Sequence, residues 1–181
     1  MKGKLLVATP EMEDPNFFRT VVLILDHNHE GALGVVLNRP SASALADPMP
    51  EWAQLAAEPA VVFVGGPVQP DAAIGLGRRA GDAGEPDGFA SLFGELGTVD
   101  LERSPEAVAP TVDRVRVFAG YSGWGPGQLE DELAADGWFV VDADAGDPWS
   151  SAPEAMWRNV LRRQRGQLRV FADFPLDPET N

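Results

Sequence analysis

The sequence predicts an α+β fold in a single domain spanning residues 1–181, and three observations carry that prediction. Short apolar or β-branched runs of strand length recur along the chain: TVVLIL at 20–25, ALGVVL at 32–37, AVVFV at 60–64 and WFVV at 138–141. Helical patterns are few and do not alternate regularly with these runs, as they would in a doubly wound parallel sheet. Finally, 181 residues with 44% hydrophobic and 23% charged side chains suit one domain with one core.

Taken in order, residues 5–8 form a short strand, and 20–25 and 32–37 pair as a hairpin across HNHEG at 27–31. Asn38-Arg39-Pro40 stops the second strand, because proline cannot donate to a ladder. Residues 51–57 suit a short helix and 60–64 a strand ended by Gly65-Gly66-Pro67. Another strand is expected at 72–77. Residues 79–104, rich in glycine and acids, read as a long irregular excursion with one short strand near Val99. RVRVFA at 114–119 alternates charged and apolar residues, the pattern of a strand with one wet face. A helix is expected over 127–135, with Leu129 and Leu133 on one face, and Gly137 ends it. Ser151-Ala-Pro-Glu154 fits a capping box, so a helix should start there. Met156, Trp157, Val160 and Leu161 form its buried stripe, and Trp138 and Trp157 are expected to be largely buried. Residues 168–171 read as a last strand and 175–181 as a frayed tail.

Composition removes several function classes. There is no cysteine, hence no disulfide, thiolate nucleophile or Cys-ligated metal. Only His27 and His29 could anchor a histidine metal site, and no metal or cofactor is expected. No apolar run approaches the ~20 residues of a membrane span. The apolar stretch at 5–8 is shorter than a signal-peptide core of about 7–15 residues, so the chain reads as cytoplasmic. The net charge of −14 repels nucleic acid at long range. One basic cluster stands out: Arg158, Arg162, Arg163, Arg165 and Arg169, where a helix end would use cations to complement its dipole.

The stretch GYSGWGPGQLEDEL at 120–133 packs four glycines into eight positions ahead of an acidic helix. Glycines and a helix N-terminus suit an anion cradle. Glu130, Asp131 and Glu132 oppose a phosphate there, and the pattern lacks the Gly-Lys-Ser/Thr ending of a P-loop. A tight structural corner around Trp124, or a docking surface, fits better. DPNFFRT at 14–20 reads as a turn anchored by Phe17 or Phe18. Arg39 in NRP can hold a carboxylate or phosphate bidentately, or neutralise an internal acid. His27 and His29, with Asp26 and Glu30, could serve acid–base or metal chemistry but sit in an expected turn. Ser122 lacks the second spacer of a Gly-x-Ser-x-Gly elbow.

Three segments together, 3–40, VFVGGPV at 62–68 and GYSGWGPGQLEDEL with the following Trp138, resemble the YqgE/AlgH family over essentially the whole chain. Residues 79–105 match only loosely. The resemblance implies a bacterial cytoplasmic protein with a bifurcated or barrel-like, mostly antiparallel β-sheet surrounded by helices. It carries the label of transcriptional regulator and no catalytic residues. The chain itself has no helix-turn-helix signature and no basic face, which argues against direct DNA reading.

The expectation is therefore a non-enzymatic regulatory or binding module for a small anionic ligand or a protein partner. Its candidate residues are Arg19, Asn38, Arg39, Tyr121 and Trp124, where polar and aromatic groups gather at strand ends. Two alternatives stand beside it: a regulator touching DNA through the C-terminal arginine helix, and a hydrolase centred on His27 and nearby carboxylates.

Overall fold

The computed structural model describes residues 1–81 and 87–175. Among them, ten strands make one sheet: β1 (Lys4–Ala8), β2 (Val21–Asn28), β3 (Gly31–Val36), β4 (Pro40–Ala44), β5 (Val61–Val64), β6 (Val68–Arg79), β7 (Phe89–Phe93), β8 (Leu96–Val99), β9 (Val112–Trp124) and β10 (Trp138–Asp142). The main path runs β10-β1-β2-β3-β9-β6-β8-β7, and β5 attaches to β9 with β4 beyond it. Every pairing is antiparallel except β5 with β9.

The central strands are apolar at consecutive positions because both faces are covered. Leu5, Val7, Leu23 and Val35 point to one layer, where Met156, Trp157, Val160 and Leu161 of α3 (Met156–Arg162) complete the main core. Leu6, Ala8, Val22, Ile24 and Val36 point to the other, with Trp124, Trp138 and Leu129 of α2 (Gln128–Ala134). A third cluster joins Leu45, Trp52, Phe89, Val112 and Val115 beside α1 (Pro105–Val108).

The sheet forks at β9. One edge of this strand pairs with β6 from Val112 to Tyr121. The other is divided: Phe118 and Ala119 pair with β5, and Ser122 to Trp124 pair with β3. Gly65 closes the crotch, its N–H donating to Ala119 O while its carbonyl accepts from Val36 N, each at 2.9 Å. This is the α+β, mostly antiparallel architecture expected.

Several expectations need correction. GYSGW is not loop but the end of β9, because β3 offers a ladder that tolerates its glycines. The excursion at 79–104 contains the β7–β8 hairpin, whose Phe89, Leu96 and Val99 turn inward; residues 82–86 lie outside the described set. β3 ends at Val36, just before NRP as expected, but strand structure resumes at once: Pro40 opens β4, which among the described residues pairs with β5 alone, and the first residue of an edge strand is a place where proline is tolerated. The strand of the 27–31 hairpin runs on through Asn28, leaving only a tight turn. Residues 168–171 are helical as α4 (Leu168–Phe171), packed against α3 with Phe171 stacked 5.1 Å from Phe139. The 51–57 helix is a 3-10 segment, Pro50–Leu55. The capping box at Ser151 does not form either: Pro153–Ala155 makes a 3-10 turn before α3, with no side-chain cap. Of the tail expected at 175–181, residues 176–181 lie outside the described set.

The wet face expected of RVRVFA is dry at Arg116, which is 2% exposed. Its guanidinium donates to Glu58 O (2.6 Å) and Ser150 O (3.2 Å) and lies 4.2 Å from the Phe63 ring centroid. Burial lowers its pKa to about 10. Carbonyl dipoles and an aromatic face thus stand in for a carboxylate partner.

Nearer the end of the same strand pair, Arg78 donates to both oxygens of Asp113, at 2.9 and 2.7 Å. These bonds hold the Asp113 carboxyl below its ordinary value. Because the folded pKa is the lower one, the stabilisation is present above the unfolded value of about 3.9 and is lost as pH falls through the folded value. For this half-exposed pair, Asp113→Asn should cost about 0.2–1 kcal/mol at neutral pH. The cost should vanish in urea titrations run below the folded pKa; a cost that persisted there would mean the carboxylate charge is not its source.

No helix among the described residues is long and apolar enough to cross a membrane.

Candidate functional site

The segment 10–19 forms a ridge whose shape follows from its sequence. Asp14 accepts the Asn16 N–H on its side chain (2.8 Å), and its carbonyl accepts from Phe17 (2.9 Å) and Phe18 (2.7 Å), a turn that Pro15 favours. The turn ends at Arg19, a non-glycine residue held at φ 56°, a conformation that persists where surrounding contacts enforce it.

Those contacts come from below. Arg39 Nη2 donates to Pro15 O (2.8 Å) and Phe18 O (3.2 Å). Asn38 donates to Arg19 O and accepts from Val21 N, both at 2.9 Å. Burial pushes the Arg39 pKa down, with Asp14 partly restoring it. Asn38 and Arg39 therefore hold the ridge, and the hydrogen bonds they make are to backbone, not to an acid.

A groove flanks each side. One, about 720 Å³, is lined by Pro10, Glu11, Glu13, Phe18, Arg19 and Phe174, among others. Phe18 and Phe174 are 38% and 44% exposed, unusual for side chains of this size. Arg19 lies over Trp157, its guanidinium carbon 3.9 Å from the ring centroid. Its Nη2 donates to Pro175 O (2.6 Å) and Phe174 O (3.4 Å), while Nε and Nη1 have no acceptor among the described residues. Burial, and then Arg158, lower its pKa. The second groove, about 330 Å³, lies between the ridge and α2 and is lined by Met12, Asp14, Phe17, Trp124, Gln128 and Glu132, with small residues between.

Of the five candidate residues, three therefore converge on the ridge: Arg19, Asn38 and Arg39. Trp124 is 5% exposed, borders the second groove and meets the ridge through Phe17, 6.1 Å between ring centroids. Tyr121 is half-buried opposite Val68, with its ring beside Gly123. Among the described residues, no hydrogen bond or ring contact joins it to the other four.

His27 is on β2, not in a turn. Its Nε2 lies 2.7 Å from Glu130 Oε1 and its Nδ1 3.2 Å from the N-terminal amine. The Glu130 carboxyl is held below its ordinary value, first by its backbone hydrogen bond and then by His27. The Ser122 hydroxyl is buried and donates to Gly65 O (3.1 Å). In the basic cluster, Arg162 pairs with Asp173, and Arg163 with Asp144 and Asp147. No group of three or more metal-ligating residues occurs among the described residues.

The model of AlgH-like proteins matches residues 5–169. The chain belongs to the AlgH-like family. A UPF0301 protein of Streptomyces coelicolor is 55% identical over all of this chain and 95% of its own length. Another, from Rhodococcus jostii, is 46% identical over 99% of this chain and 90% of its own. A crystal structure of a Corynebacterium diphtheriae protein superposes with a TM-score of 0.88 at 35% identity, over 95% of this chain and 91% of that one. The solution structure of the AlgH protein from Pseudomonas aeruginosa gives 0.68 at 28% identity, over 96% and 94%.

Within this AlgH-like chain the groove residues Phe18, Phe174 and Glu132 are not among the candidates that the sequence suggests. Part of the signal for Glu132 is local: Gln128 and Glu132 are four apart, which α2 aligns on one face. Phe174 is 155 residues from Arg19, and no local pattern announces that meeting.

Proposed function

We propose that this AlgH-like chain is a non-enzymatic regulatory module of the bacterial cytoplasm. It binds an anionic group, carried by a small ligand or by a protein partner, at the Arg19 side of the ridge. The observation that carries the reading is Arg19 itself. Its backbone is held in a strained conformation, its guanidinium is pre-oriented on Trp157, and two of its nitrogens lack acceptors among the described residues. A carboxylate or phosphate replacing the Phe174 and Pro175 carbonyls would relieve that deficit and suits guanidinium geometry. The exposed rings of Phe18 and Phe174 supply apolar contact beside it.

Contact with DNA through the C-terminal arginines has less support. Arg162 and Arg163 are already held by carboxylates, and the chain carries a charge of −14.

A thermal-shift screen of phosphorylated and carboxylated metabolites on wild type and Arg19→Gln tests the reading. At 100 times its Kd a ligand stabilises by about 2.7 kcal/mol. For a domain of this size that is about 5–10 °C in Tm. The expected result is a shift in wild type that Arg19→Gln removes. A shift that survives the substitution places the site away from the ridge.

A further inference from the structure

The second groove, on the opposite side of the ridge, carries an inference independent of the Arg19 reading. Its polar chemistry is anionic: Asp14 and Glu132 line it, and no basic side chain does. Glu132 is half-buried, and among the described residues it forms no ion pair. Three neutral donors fix it instead. Trp124 Nε1 (3.0 Å) and Trp138 Nε1 (2.8 Å) both donate to its Oε2, and Gln128 Nε2 (3.0 Å) donates to Oε1. A carboxylate offers about four acceptor positions, so one remains, and the negative charge has no counter-charge.

The walls are aromatic and rigid. Phe17, Trp124 and Trp138 form a mutually packed trio with centroids 5.3–6.1 Å apart. Gln128 is itself pinned, accepting the Gly125 N–H at 3.0 Å. Trp124, Gln128 and Glu132 thus act as one unit, which gives the glycine-rich stretch before the acidic helix a purpose. The left-handed Gly127 (φ 76°) turns the chain so that α2 can return its carboxylate to the tryptophan that ends β9.

We propose that this groove binds a small organic cation with an alkylammonium head. The ammonium lies against the remaining acceptor position of Glu132, through an N–H bond from a primary head or through charge attraction alone from a quaternary one, with Asp14 lining the same groove, and its alkyl substituents lie against Phe17, Trp124 and Met12. Aromatic faces attract such cations, and the acidic surface of the molecule concentrates them. The volume of about 330 Å³ matches the small end of ligand sites.

The test uses the intact chain with choline and n-butylammonium, and with the uncharged tert-butyl analogue of choline as control. The indole N–H resonances of Trp124 and Trp138 report occupancy, since both hydrogens point at Glu132. Expected are saturable shifts with the cations, none with the neutral analogue, and at least about tenfold weaker binding in Glu132→Gln, which keeps an acceptor but removes the charge. Asp14→Asn, which removes the charge but keeps the acceptor for the Asn16 N–H, tests the same point with little risk to the ridge and should weaken binding several-fold. Equal shifts from the neutral analogue, unchanged affinity in folded Asp14→Asn, or no saturation of wild type by either cation overturns the proposal.

Discussion

Trp157→Ala lowers the stability of the fold by about 3–5 kcal/mol in denaturant titrations. The residue is 3% exposed and sits in the main core, between α3 and the face of β1 and β2. Its Nε1 donates to Ala8 O at 2.8 Å, so truncation also removes the donor to a carbonyl at the end of β1. Deleting the ring leaves a cavity that strands paired on both sides cannot collapse to fill. Arg19 loses its platform as well, and its guanidinium would then have only carbonyl partners on one nitrogen. Trp157→Phe retains most of the apolar volume and a ring beneath Arg19, and should cost about 1–3 kcal/mol, chiefly through the unpaired carbonyl. A loss below about 1 kcal/mol for the alanine variant would show that α3 contributes little to holding the sheet.

Gly66→Ala is the second large effect. Gly66 has φ 154°, and a Cβ there would lie 2.3 Å from the carbonyl carbon and oxygen of Tyr121 and 2.4 Å from Ser122 N. All three are backbone atoms, so no side-chain rotation relieves the collision. The strands themselves must part, at the point where β5 leaves the fork and where Ser122 and Gly65 are hydrogen-bonded. The expected loss is at or above the upper end of the usual 1–3 kcal/mol for overpacking, roughly 3 kcal/mol. It should come with loss of hydrogen-exchange protection at Gly65 and Val36, whose amides bond across the crotch. A soluble variant with wild-type stability would mean that the crotch can widen freely.

How much of this was legible depends on whether the deciding contact is local. The β2–β3 hairpin was readable because its apolar runs are covered on both faces and separated by a short polar turn. The helix after Gly127 was equally plain, with Leu129 facing the core. The β7–β8 hairpin was not, because its inward residues Phe89, Leu96 and Val99 are diluted by glycines and acids that belong to its turns. LRVF at 168–171 has a strand-like composition yet lies at the end of the chain with α3 beside it; packing overrode propensity. Arg116 was misread for a related reason: alternation locates a face but says nothing of what covers it.

For the site, Arg19, Asn38 and Arg39 could be grouped because the register of the β2–β3 hairpin brings 19–21 beside 36–39. The pairing of Val22 with Val36 fixes that neighbourhood. Trp124 was singled out with its partner overlooked. The grooves themselves arise from residues far apart in the chain, such as Glu13 with Phe174 and Asp14 with Glu132, and only the assembled sheet shows them.

The pairing of β1 with β10 has a consequence for how the chain is made. Lys4 meets Asp142 and Ala8 meets Trp138, so the first strand waits for more than two-thirds of the polypeptide before its outer edge is closed. Contacts of such long range are late and slow to form. On the ribosome, where about 5–20 residues are added per second, the early strands therefore spend several seconds with an open border that is apolar from Leu5 to Ala8. That interval, rather than the finished molecule, is when the protein is most prone to aggregate and most in need of a chaperone.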